Sequence, residues 1–322
     1  MPLVGLTGPI CSGKDTLVEF LVEELDFKLI ERVYKADEAS DHVYQVDDEI
    51  LVGANALIDY VTQRWRSRLV MNGIPSTQFL NGIIKRPFFL LVYVDAPVLT
   101  RFRRYRSYPH KKNTTLEQFC AIQDEAAFKS DNSVNRHRSL AQVHINNDAF
   151  EKPVLRDKLR SADMMNNDRF RPSWDSYFMQ MASLAAMRSN CMKRRVGCVL
   201  VRDNRIIATG YNGTPRGIKN CNEGGCPRCN SALSCGTDLH TCLCLHAEEN
   251  ALLEAGRERV GSNGILYCDT CPCLTCSVKI AQVGISEVVY STSYSMDNHT
   301  ASILKEGGVR LRQFVPPENN VF

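Results

Sequence analysis

The sequence has no apolar run long enough to cross a bilayer; its longest, Phe88–Val94, has the length of a buried strand. It also lacks the secretory pattern, a basic N-terminal region followed by an apolar stretch and small residues. These absences predict a protein kept inside the cell and off membranes, in the cytoplasm, with nuclear residence left open. A surplus of one charge is missing too. Lys+Arg number 39 against 36 Asp+Glu, a net charge of +3. A chain that lives on a nucleic-acid backbone carries a stronger basic excess, so nucleic acid is not an expected partner. A small anionic ligand needs only a few placed cations. No internal repeat or low-complexity tract is present. With 44% hydrophobic and 23% charged residues the chain can bury a core, which excludes disorder. Its 322 residues exceed one average domain.

Cysteine, by contrast, is abundant and unevenly placed. There are 14, and only Cys11 and Cys120 precede Cys191. In a compartment that keeps thiols reduced, such crowding points to metal binding before disulfides.

The first half reads as an α/β domain with a mostly parallel sheet over residues 1–155. Leu3–Thr7 is a strand candidate that runs into a glycine-rich loop, Gly8 to Thr16, and then an amphipathic helix, Leu17–Leu25. Strand, loop and helix are the context of a phosphate-binding loop. Gly8, Gly13 and Lys14 supply its G-x-x-x-x-G-K core. Asp15 stands where Ser or Thr usually holds magnesium, and Thr16 comes one place late. Phe88–Val94 suits a strand buried on both faces, and the arginines at 101, 103, 104 and 106 suit the lid of a nucleotide kinase or a solvated helix face. Three readings of this half stay open: an active kinase, a regulatory nucleotide-binding domain with Mg2+, and an inactive relic. Active chemistry ranks lowest, since no catalytic base or magnesium acid stands out. Residues 156–172, polar and closed by Pro172, read as a linker.

Residues 173–322 predict a three-layer α/β/α domain: a helix from Trp174, a hairpin with strands Gly197–Val201 and Ile206–Tyr211, a cysteine-rich loop, then alternating helices and strands. Within it stand His246-Ala247-Glu248 and Pro272-Cys273-Leu274-Thr275-Cys276, each opening a helix-like stretch. Cys273 and Cys276 are three apart and share a helical face. One His and two Cys leave a tetrahedral zinc with an open position, the mark of a catalytic site. Glu248 lies close enough to serve as general acid and base without ligating. The combination is the signature of zinc nucleobase deaminases. The plainer alternative is a closed four-ligand zinc knot with Glu248 merely solvated.

The stretch from Arg188 to Phe314 resembles the deoxycytidylate deaminase family. The resemblance rests on Arg194-Arg195-Val196-Gly197-Cys198, Thr209-Gly210-Tyr211-Asn212-Gly213-Thr214-Pro215-Arg216-Gly217, His246-Ala247-Glu248-Glu249-Asn250-Ala251 and Pro272 to Cys276. With the N-terminal loop it is most similar to the fungal form. The resemblance implies hydrolysis of dCMP to dUMP, which supplies thymidylate synthesis. It also implies a cytidine-deaminase-like fold, a homo-hexamer, activation by dCTP and inhibition by dTTP. Asn212 fits the family's sugar-binding asparagine; as an alternative it is a plain turn residue. Arg194 and Arg195, joined by Tyr294, suit the 5′-phosphate unless they are ordinary surface charges. A second, structural zinc is implied in the loop, with Cys221, Cys226, His240 and Cys242 favoured and Cys229 as the rival; free packed thiols are the alternative. Functions of other classes are a zinc-ribbon nucleic-acid binder with an ATP switch and a small-molecule kinase carrying a structural zinc; within the same fold the rival is a deaminase of tRNA or of a riboflavin precursor.

Overall fold

β1 (Leu3–Thr7) is buried along its whole length and turns through the glycine loop into α1 (Lys14–Leu25). The structure, a computed structural model, describes residues 2–33, 43–129, 132–149, 151–161, 163–231, 238–293, 298–317 and 320–321. It divides into two compact units, residues 1–171 with 317–322, and residues 172–316.

In the first unit follow β2 (Lys28–Val33), β3 (Val43–Val46), β4 (Glu49–Val52), α2 (Gly53–Gln63), β5 (Leu69–Asn72), α3 (Thr77–Ile83), β6 (Phe89–Asp95), α4 (Val98–Ser107), α5 (Leu116–Asp124), α6 (Val134–Leu140), β7 (Val143–Asn146) and α7 (Lys152–Ser161). The sheet runs β7-β6-β1-β5-β2-β3-β4, parallel as far as β2 and closed by the antiparallel β3–β4 hairpin. Successive residues of β6 serve opposite faces: Leu90 and Val92 pack with Leu17 and Leu21, Leu91 with Leu57 and Phe79. A continuous apolar run is what a strand covered on both sides requires. Each fully buried Leu or Val contributes about 1.5–3 kcal/mol.

Two boundaries differ from the sequence reading. Residues 156–171 are not a free linker, because Leu155, Leu159 and Met164 bury into the first unit's core and hold the polar stretch against it. The last strand of the chain, Asn320–Val321, pairs in parallel with β7, so 317–322 group with the first unit rather than the second.

The second unit holds α8 (Trp174–Ala186), β8 (Gly197–Arg202), β9 (Arg205–Tyr211), α9 (Pro227–Asn230), α10 (Ala247–Val260, broken at Gly256), β10 (Ile265–Thr270), α11 (Leu274–Val283), β11 (Glu287–Thr292), α12 (Asn298–Glu306) and β12 (Arg310–Gln313). Asp203 and Asn204 turn the β8–β9 hairpin, both at positive φ, as a two-residue turn that matches strand twist demands. The sheet order is β12-β11-β10-β8-β9. On one face Phe178, Met179 and Ala182 of α8 meet Val199, Val201 and Tyr267. On the other, Ala251, Ile280 and Leu304 of α10, α11 and α12 meet Leu200, Leu266 and Val288. The result is three layers. Glycines set their spacing: a Cβ on Gly197 would stand 2.0 Å from the Ala182 carbonyl oxygen, and one on Gly210 would stand 2.0 Å from that of Ala247.

Candidate active site

β9 packs under α10 and β10 leads into α11, so the sheet delivers two helix N-termini to one place. His246 is the N-cap of α10 and Cys273 the N-cap of α11. The positive ends of two helices favour thiolate ligands there. His246 Nδ1 lies 3.4 Å from Cys273 Sγ and 3.3 Å from Cys276 Sγ. A tetrahedral zinc with Zn–S near 2.3 Å and Zn–N near 2.0–2.1 Å sets such atoms about 3.5 Å apart. The donor set fits the ion. Glu249 braces the arrangement, its carboxylate accepting the His246 backbone N–H at 2.9 Å and pairing with Lys279 of α11. Hydrogen bonds from Cys276 and His246 pull the Cys273 thiol down to about 3, and the bond to Cys273 together with burial pushes Cys276 up.

Glu248, on the first turn of α10, is only 4% exposed. Burial pushes its carboxyl up to about 7, against the opposing charge of His246 and with Cys273 and Asp269 adding to the rise. A carboxyl so placed accepts and returns a proton near neutrality.

Asn212 is buried at the end of β9, and its amide is mostly committed within the protein. Oδ1 accepts from Ser189 Oγ at 2.7 Å and from the Val196 N–H at 2.8 Å, and Nδ2 donates to the Arg194 carbonyl at 2.8 Å. Of its four hydrogen-bonding positions, one Nδ2 hydrogen has no partner among the described residues and is left for a ligand. Ser189 and Asp269 are residues that sequence reasoning missed. Asp269 accepts the Gly197 N–H at 3.1 Å, and its other carboxyl oxygen is buried with no protein partner among the described residues. Neither falls in a motif, and only the fold brings them to Asn212 and Glu248. Arg194 and Arg195 are exposed, the former donating to Thr270 Oγ1 at 3.1 Å. Tyr294 lies outside the described residues.

Residues 172–292 match the family model of the cytidine and deoxycytidylate deaminase zinc-binding region. The whole chain is 66% identical to the full length of a deoxycytidylate deaminase from Schizosaccharomyces pombe, and 97% of it is 45% identical to 96% of the one from Saccharomyces cerevisiae. The chain belongs to the deoxycytidylate deaminase family. A deoxycytidylate deaminase of Mycobacterium phage D29 matches at 43% identity over 37% of this chain and 95% of its own length. Zinc is thereby the metal of the second unit. Among the described residues no helix is long and apolar enough to cross a membrane.

In this family member the expected second ligand set is only partly brought together. Cys221, Cys226 and Cys242 lie in one sulfur cluster with Cys191, Cys229 and Cys244. His240 does not join them. It stands exposed in the turn Leu239–Thr241, and nearer thiols take the place it was assigned.

The N-terminal loop sits at the carboxyl end of β1, between β5 and β6, where the strand order reverses and ligands of open α/β sheets bind. Gly8 (φ 141°) and Gly13 (φ 104°) adopt backbone that other residues avoid. Lys14 folds back, its ammonium donating to the carbonyls of Gly8 at 2.9 Å and Pro9 at 2.8 Å. Asp15 accepts from Asn72, and Thr16 lines the neighbouring cavity with Arg104 and Asn147. Arg101 and Arg104 are tied into α4's surroundings, Arg101 to the Ala96 carbonyl and Arg104 to those of Cys11 and Ala149. Arg104 thus braces the loop through Cys11, whereas Arg103 and Arg106 of the same helix are exposed.

Proposed function

We propose that this chain hydrolyses dCMP to dUMP and ammonia at the His246–Cys273–Cys276 centre. The carrying observation is the buried Glu248 carboxyl beside that donor set, in a chain matched along its full length by a deoxycytidylate deaminase. When bound, zinc supplies a water activated for attack at neutral pH. Glu248 takes a proton from the attacking water and places it on ring N3 as C4 is attacked. It then carries the second proton to the exocyclic amino group, which leaves as ammonia, and the carboxylate is restored. The free Nδ2 hydrogen of Asn212 suits a sugar hydroxyl. Arg194 and Arg195, with Tyr294, suit the 5′-phosphate, because guanidinium groups bind it in a bidentate fork.

The family resemblance supports activation by dCTP, inhibition by dTTP and assembly as a homo-hexamer. The sulfur cluster supports a structural metal site beside the catalytic one. The loop at residues 8–16 supports a phosphate-binding first unit, in which Lys14 would turn from its own loop carbonyls toward a phosphate and Thr16 and Asp15 would stand near Mg2+. A regulatory or relict role suits this unit better than kinase activity. Free thiols in such number call for a reducing compartment, which supports a cytoplasmic enzyme.

The test is ammonia release from dCMP by the zinc-loaded protein, by the same protein stripped with a strong chelator, and by the stripped protein after zinc is returned. Turnover that vanishes and returns is expected, raised by dCTP and lowered by dTTP. Undiminished turnover in metal-free protein would overturn the reading.

A further inference from the structure

Between β9 and α10 the chain runs for more than thirty residues with little regular structure beyond the four-residue α9 and two short 3-10 turns among the described residues. Among the described residues the core of this segment contains no leucine, valine or aromatic ring. It is a cluster of cysteines alone: Cys221, Cys226, Cys229 and Cys244 are buried, with Cys191 and Cys242 packed against them. Such a segment cannot hold itself together by apolar burial, and small folds of this kind rely on a metal.

The sulfurs fall into two groups of four: Cys191, Cys221, Cys229 and Cys244, and Cys226, Cys229, Cys242 and Cys244. Within each group all ligand atoms lie within 4.8 Å of one another. Cys229 and Cys244 belong to both. A tetrahedral Zn–S bond near 2.3 Å puts neighbouring sulfurs about 3.8 Å apart. Here Cys191–Cys229 is 3.8 Å, Cys226–Cys242 4.0 Å, Cys229–Cys242 3.6 Å and Cys229–Cys244 3.9 Å. A disulfide needs about 2.05 Å, so none of these is one.

We propose that the cluster holds two zinc ions bridged by Cys229 and Cys244, with Cys191 and Cys221 completing one tetrahedron and Cys226 and Cys242 the other. The proposal rests on the reading of this cluster as a structural metal site. Two tetrahedra need eight bonds, and six sulfurs supply eight only if two of them bridge. The two sulfurs common to both groups are in place to do so. A single zinc would satisfy four thiols and leave two packed against a charged centre. Six thiolates on two zinc ions carry no more net charge than four on one. Backbone donors meet one non-bridging sulfur on each side, Met192 N–H to Cys221 Sγ and Leu243 N–H to Cys226 Sγ, both at 3.4 Å. Such bonds stabilise thiolates.

The cluster also reaches the substrate side. The Cys191 N–H donates to Ser189 Oγ at 3.2 Å, and that hydroxyl holds Asn212. Emptying the first tetrahedron should therefore loosen Asn212.

The experiment is metal analysis and 113Cd NMR on the intact holoenzyme, first as zinc protein and then after exchange with 113Cd. About three metals per chain are expected, one at the catalytic centre and two in the cluster. Two all-sulfur 113Cd resonances should appear, coupled to each other through the shared thiolates. Cys191→Ser should remove one metal and leave the other all-sulfur resonance, and Cys242→Ser should do the reverse. Two metals per chain with one uncoupled all-sulfur resonance would overturn the binuclear site and leave a single structural zinc standing. One metal per chain, or iron in place of zinc, would overturn the structural zinc reading as well.

Discussion

Glu248 and Asn212 show how differently two buried polar residues serve one site. Glu248 has a raised carboxyl and moves protons in the proposed mechanism. Glu248→Gln keeps shape and burial but removes the base. It should retain the zinc content and circular dichroism of the native protein while turnover falls by about 10²–10⁴-fold or more. Asn212 works by holding backbone and side chains in place. Asn212→Ala strands the Val196 N–H and the Arg194 carbonyl, while Ser189 Oγ keeps the backbone carbonyl at that position, at a cost of about 1–3 kcal/mol. A lower Tm and a raised KM are expected together. A KM rise with unchanged Tm would show that Asn212 contacts the sugar without the bracing role. The motif residues were readable from the sequence because spacing and residue type define them. Ser189, Asp269 and Cys191 were not, since each lies outside any motif and joins the site only when the sheet forms, Ser189 through the β8–β9 hairpin and Asp269 through the pairing of β10 with β8.

At the level of elements, the N-termini of α10 and α11 carry the ligands, and the sheet beneath sets where they point. Gly210 lets α10 lie on β9. Gly210→Ala would place a methyl group 2.0 Å from the Ala247 carbonyl oxygen, next to the ligand His246, and push the helix off the strand. Lower zinc affinity in a competition titration should accompany the lower Tm. On the far face α8 is fastened by Asp175, which takes two bonds from Arg312, at 2.7 and 3.0 Å, and one from Tyr267 at 2.8 Å. The Arg312 bonds hold the Asp175 carboxyl below its ordinary value of 3.8. A depressed carboxyl stabilises the fold above that ordinary value and loses the contribution as pH falls through the lower native one. Tm should therefore drop on acidification from about pH 4 downward, and Asp175→Asn should flatten that part of the profile. Most elements were legible from periodicity, β6 and the β8–β9 hairpin in particular. The stretch 156–171 was misread because its charges outnumber Leu159, Met164, Met165 and Phe170, yet those few apolar contacts decide where it lies.

The whole molecule joins two units with separate cores, and the proposed zinc ligands, Glu248 and the sulfur cluster all fall in the second. A phage relative nearly all of which is matched by 37% of this chain carries the same family name. A fragment of residues 172–316 should accordingly fold and bind zinc with the stoichiometry of the full chain, as metal analysis and a cooperative thermal transition can establish. The placing of the zinc-binding region in the second half was readable in the sequence from the deaminase motifs. The return of the last strand to β7 was not, because a two-residue pairing leaves no periodic signal. The most direct test of the account is ammonia release by the zinc-loaded protein with dCMP, CMP, deoxycytidine and dCTP compared side by side. Turnover of dCMP far above the other three is the expected result. No turnover of dCMP by protein with its catalytic zinc in place would contradict the account at its centre.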